Sequence, residues 1–253
     1  TLVEGRIERR RAEGKIVNLD ARLEKEPLGG TMGIGHTRWA THGGPSEINA
    51  HPHADERVVL VHNGIIENFQ ELRTELTQKG HRFTTDTDTE AVVHLVSEYL
   101  ADGKTPQEAV AAALKRLEGA FALAILFAGE DGLMIGARRG SPLAIGYGDG
   151  EMYIGSDALA LAPLTQQISY LEEGDWAEIT AGGAIVHDQN DAVVERAIRQ
   201  TATSGAIIGK GNFPHFMLKE IYEQPAVIGD TLHTFVNPWS NVVTLPDLPF
   251  DLT

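Results

Sequence analysis

The 253-residue sequence predicts an α+β protein made of stacked sheet and helix layers. Two observations carry that reading. Residues 65–117 hold three helical patterns in succession. From Ala120 onward the texture changes to short runs, "AFALAILFA", "LMIGARRG", "LAIGYG", "EMYIGSD", "ISYLEE" and "WAEIT", parted by Gly, Asp and Glu, and these read as hairpins. Strands, then helices, then strands fit a layered α+β fold better than a βαβ repeat.

Taken in order, "TLVEGRIERRRAEGK" reads as two short strands around Glu4-Gly5, with Arg9, Arg10 and Arg11 forming a solvated edge. "IVNLDARLEKEP" reads as a short helix that stops before Pro27 and Gly29-Gly30. "VVLVHNGIIEN" starts as a buried strand over 58–62, breaks at Asn63-Gly64 and turns helical. Ile65, Phe69, Leu72 and Leu76 then make one apolar face, closed by Gly80. Thr87 and Glu90 have capping-box spacing and announce a second helix, with Val92, Leu95, Val96 and Tyr99 on one side and Gly103 at its end. Thr105-Pro106 with Glu108 opens a third, along Val110, Leu114 and Leu117. Near Ala202 the chain turns small, polar and Gly-rich. The expected division is therefore a main domain over 1–201, a linker over 202–218 and the incomplete start of another domain over 219–253.

Composition narrows the chemistry. A net charge of −15 argues against nucleic acid or an anionic membrane as a partner. No apolar run reaches membrane-spanning length, and the first residues do not read as a secretory signal, so a cytoplasmic protein is expected. There is no cysteine, which removes disulfides, thiolate metal sites and a cysteine nucleophile from these residues.

The stretch "GHTRWATHGGPSEINAHPH", residues 35–53, carries four histidines, an arginine, a tryptophan and two glycines in a row, with few aliphatic residues. Arg38 either grips a carboxylate with its planar fork or stacks on Trp39. Asp88 either holds an ammonium group or complements the dipole of the helix it opens. Asn63 and Gly64, at the end of a buried strand, either form an oxyanion hole or a tight turn. His42, His51 and His53 lack metal-ligand spacing and are read as loop-bracing groups, so no metal or other cofactor is expected. Gly43-Gly44 suits a hinge or lid.

The words "HTRWATHG", "NAHPH", "VHNGIIEN" and "TDTDTE", in this order and spacing, resemble the glutaminase domain of the glutamine–fructose-6-phosphate aminotransferase family, the glucosamine-6-phosphate synthases. "GSPL", "SDALAL" and "LEEGD" extend the likeness, and "KEIYEQP" resembles the segment that leads into that family's sugar isomerase half. The resemblance implies an N-terminal nucleophile hydrolase fold, a four-layer αββα sandwich, here without its first strand and with a short helical tail. It implies glutamine as substrate, with Arg38 and Asp88 gripping its carboxylate and amino groups. Trp39, Thr41 and His42 would form a lid braced by His51, and Asn63 and Gly64 the oxyanion hole. Fructose 6-phosphate would be met through the absent isomerase domain, in a homodimeric parent protein.

In that family the nucleophile is a terminal cysteine, absent here. Thr1 resembles a position in a later hairpin and is not read as its substitute. The chain is therefore expected to be a fragment truncated at both ends and inactive alone. A non-catalytic glutamine-binding module, or another class II amidotransferase, is the alternative.

Overall fold

The computed structural model describes residues 1–201, 212–237 and 242–243. The chain divides into two units, Thr1–Gly205 and Ala206–Thr253.

The first unit is built on two antiparallel sheets. Seven strands run in the order β12 (Val193–Val194), β11 (Gly183–His187), β10 (Trp176–Thr180), β6 (Met134–Arg139), β5 (Gly119–Phe127), β4 (Val58–Ile66) and β3 (His53–Ala54). Four more run in the order β13 (Arg199–Gln200), β9 (Gln167–Tyr170), β7 (Ala144–Tyr147) and β8 (Met152–Gly155). Side-chain alternation sorts the layers. Val58 and Leu60 of β4, and Phe121, Leu123, Ile125 and Phe127 of β5, join one core with helices α2 (Phe69–Gln78), α3 (Thr89–Ala101) and α4 (Pro106–Leu114). Val59, Ala122, Leu126 and Met134 point the other way, into a core shared with Leu143, Ile145 and Leu171 beside the smaller sheet. Ala144 and Ile168 face a third cluster with Leu161 of the short helix α5 (Ala158–Leu161). The layers thus run helices, sheet, sheet, helix. Fully buried residues such as Leu60, Ile66 and Leu76 each contribute about 1.5–3 kcal/mol relative to exposure.

Most elements form where the pattern predicts. The opening hairpin is β1 (Leu2–Val3) with β2 (Arg6–Ile7), and α1 spans Ile16–Lys25. Helix α2 closes with paired bonds, Gly80 N–H to Thr77 O at 3.0 Å and His81 N–H to Leu76 O at 3.0 Å. The Thr105–Glu108 capping box is present on both sides.

Four readings change. Strand β4 does not break at Asn63-Gly64. It pairs with β5 through Asn63↔Ala122, Gly64↔Phe121 and Ile65↔Ala120 as far as Ile66↔Gly119, because the cross-strand ladder outweighs the local turn signal. Ile65 therefore stays in the strand, exposed, and leaves the α2 face. The Thr87–Glu90 capping box does not form, since Asp88 is the N-cap and makes no side-chain cap bond. Glu90 turns back to bind Thr84 and Thr85 instead. Arg9 and Arg11 are not a solvated edge: Arg9 donates to Pro52 O at 3.2 Å, and Arg11 to Ile48 O and Ala50 O, each at 3.0 Å. Finally, β6 and β7 do not pair with each other, because the chain crosses between sheets there.

In the second unit, α6 (Phe216–Phe235) is followed by β14 (Val236–Asn237), paired with β15 (Val242–Val243). Helix α6 begins three residues ahead of the expected boundary at Lys219. Most of the expected linker, and the end of the tail, lie outside the described residues. Among the described residues no helix is long and apolar enough to cross a membrane.

Candidate active site

The residues singled out in the sequence meet at one cavity of about 270 Å³. Its lining includes Arg38, Trp39, Thr41, His42, Asn63, Gly64 and Asp88, that is, all seven candidates. They arrive from three directions. Residues 38–42 lie in a long loop without helix or strand, Asn63 and Gly64 sit near the end of β4, and Asp88 precedes α3.

Local chemistry fixes each one. Asp88 is buried, 3% exposed, and its Oδ2 accepts the Ile66 N–H at 2.8 Å. His42 Nδ1 lies 4.0 Å and His62 Nδ1 3.9 Å from the same oxygen. Arg38 donates to Gly44 O at 2.8 Å, to Gly43 O at 2.9 Å and to His42 O. The guanidinium therefore shapes the loop it belongs to. Trp39 is 90% exposed at the rim. The His42 ring packs edge-on to Phe69, 4.9 Å between centres.

Two glycines are structurally required. Gly64 has φ +131°, and a Cβ there would come within 2.1 Å of Ala120 O. Gly43 has φ +77°, and a Cβ would meet Asn49 Nδ2 at 2.7 Å. Asn49 is one of the residues the sequence reading missed. It is 2% exposed and ties the loop to the approach of α3 through Gly44 O, Asp86 Oδ2 and Asp86 N.

A histidine cluster backs the cavity. His36 and His51 rings lie 4.2 Å apart and His51 and His53 4.7 Å apart. Burial, reinforced by neighbouring histidines, pushes His51 far below the ordinary imidazole range. Burial brings His53 and His62 each down to about 4, with Asp88 opposing the fall at His62. These rings are neutral at pH 7. His36, His62 and Thr89 also line the cavity and were missed; the only local hint was their place beside Arg38, Asn63 and Asp88. Among the described residues no group of three or more His, Cys, Asp or Glu is arranged to hold a metal ion.

A second cavity of about 390 Å³ adjoins the first and shares His36, His62 and Asn63 with it. Its walls include residues 33–37, which belong to no strand, and Met152–Gly155 of β8, the edge strand of the smaller sheet. Thr1 is not among the residues lining either cavity.

Two facing sheets between helix layers, with polar groups converging near the end of β4, define an N-terminal nucleophile hydrolase fold. Residues 36–163 match the model of the glutamine amidotransferase domain. The chain belongs to that family. It is 57% identical over 253 residues to the glutamine–fructose-6-phosphate aminotransferase [isomerizing] of Zymomonas mobilis, covering 100% of this chain and 42% of the relative. It is 60% identical over 251 residues to the protein of that name from Bradyrhizobium diazoefficiens, covering 98% and 41%. The chain thus spans about two fifths of the length of these curated relatives. Among solved structures, it is similar to glutamine phosphoribosylpyrophosphate amidotransferase from B. subtilis complexed with ADP and GMP. The TM-score is 0.51 at 26% identity, over 62% of this chain and 35% of that one.

Proposed function

We propose that the 270 Å³ cavity binds free glutamine and that this chain is the glutaminase portion of a glutamine–fructose-6-phosphate aminotransferase. The observation that carries the reading is the convergence of a buried carboxylate, Asp88, with a guanidinium, Arg38, on one small cavity that also holds Asn63 and Gly64. Asp88 takes the ammonium group and Arg38 the carboxylate, which orients the side-chain amide toward Asn63 and Gly64. The Asn63 amide and Gly64 N–H receive the oxyanion that forms when a nucleophile adds to the carbonyl. Trp39, Thr41 and His42 close over the ligand.

The nucleophile is a thiol that these 253 residues do not contain. In this reading the thiol attacks the glutamine carbonyl held beside Asn63 and Gly64. Attack releases ammonia and leaves a thioester, which water then hydrolyses to glutamate. In the parent protein, a homodimer, the ammonia passes to fructose 6-phosphate in an isomerase domain that begins near Lys219.

Calorimetry with glutamine tests the binding reading, and an assay for glutamate release tests the role of the thiol. The expected result is binding without turnover. No binding removes the glutamine site, and turnover of about 1 per second or more removes the external thiol.

A further inference from the structure

Thr89 has no part in the reading above, yet its hydroxyl joins every element of the site. It is 1% exposed and lies 3.0 Å from His51 Nε2 and 3.0 Å from His62 Nδ1. His51 belongs to the loop that carries Arg38, His62 precedes Asn63 on β4, and Thr89 follows Asp88 on α3.

A hydroxyl has one proton to donate. Between two neutral rings it donates to one nitrogen and accepts from the other, so the nitrogens facing it are in opposite states. Two arrangements satisfy this. In one, both rings carry their proton on Nε2, the form a free neutral imidazole prefers. In the other, both carry it on Nδ1. Asp88 decides between them. Its Oδ2 lies 3.9 Å from His62 Nδ1, and a negative charge there favours a proton on that nitrogen. We infer that Thr89 is a positioning residue, relaying from His62 Nδ1–H through its own hydroxyl to His51 Nε2 and so fixing both rings in the Nδ1–H form.

The relay leaves His51 Nδ1–H as a buried donor without a partner and His62 Nε2 as a buried acceptor without one. Both residues line the cavity, so the relay fixes the orientation of two rings in its wall. The low proton affinity of both rings supports the neutral state that the relay needs. Nothing in this inference depends on what the cavity binds.

The test is a long-range proton–nitrogen correlation spectrum of the ¹⁵N-histidine-labelled protein at pH 7, assigned with His51→Gln and His62→Gln. His51 and His62 should both show the Nδ1–H pattern. Thr89→Ser should keep it, and Thr89→Val should move at least one ring to Nε2–H. A wild-type spectrum with His62 in the Nε2–H form overturns the inference, as does a folded Thr89→Val protein with unchanged tautomers. If Thr89→Val does not fold, the wild-type and Thr89→Ser spectra decide, and a difference between them counts against the relay. Glutamine affinity is a separate arm: Thr89→Val should weaken it about tenfold and Thr89→Ser should restore it. If wild-type protein binds no glutamine, the proposed substrate fails while the tautomers still decide the relay.

Discussion

The Asp88 carboxylate accepts the backbone N–H of Ile66 at 2.8 Å. That bond pins the start of α3 to the last residue of β4, two positions beyond Gly64. The group proposed to hold the substrate ammonium is thus tied to the strand that carries the proposed oxyanion donors. Asp88→Asn keeps the shape and removes the charge. It should weaken glutamine binding by about 1.5–3 kcal/mol, the range for a hydrogen bond to a charged group. Calorimetry measures this, and an affinity equal to the parent's refutes the assignment.

Arg38→Lys keeps the charge and loses the planar fork that holds His42 O, Gly43 O and Gly44 O. Two effects should appear together: weaker glutamine binding and faster proteolysis between Trp39 and Glu47. Weaker binding with unchanged proteolysis would mean that the arginine does not shape the loop.

Gly64→Ala forces a side chain against Ala120 O and into an unfavourable backbone region. The expected cost is about 3 kcal/mol or more. Thermal unfolding measures it, and a melting temperature within a degree or two of the parent's would show that the β4–β5 pair relaxes freely.

His53 and His62 bind protons in the folded protein only near pH 4, well below the 6.5 of an unfolded imidazole. Between those values the unfolded chain holds more protons, so stability falls as pH falls from 6.5 to 4. Each ring contributes a slope of up to about 1.4 kcal/mol per pH unit. Denaturant titrations at pH 7 and 5 measure it, and His53→Gln should flatten the dependence.

Glu90 is shifted in the same direction, but by partners rather than by burial. Burial alone would raise its pKa, but the His94 ring and the donors of Thr84 and Thr85 bring it down to about 2. Its stabilisation is present above pH 4.5 and is lost as pH falls toward 2. Glu90→Gln should therefore destabilise by up to about 3 kcal/mol at pH 7 and by little at pH 2. An equal loss at both pH values would show that shape, not charge, matters there.

The sequence by itself determined the layered α+β class, the places of α1 to α4, the Gly80 closure and the Thr105–Glu108 box. Each is set by contacts a few residues apart, so period, cap and breaker are legible in the chain. The seven candidate residues were legible for a different reason: they crowd into short words that resemble one family. Tertiary structure alone decided that β4 runs on through Asn63-Gly64. The local signal there says turn, and only pairing with Phe121 and Ala122, nearly sixty residues away, overrules it. It also decided what the polar side chains bind. Glu90 leaves its capping partner for the Thr84–Thr85 donors, and Arg9 and Arg11 reach loop carbonyls about forty residues away. Thr89 joins two histidines from separate elements. A long polar side chain finds its partner by distance in space, and distance in space between remote segments is fixed only when the sheets and helices pack.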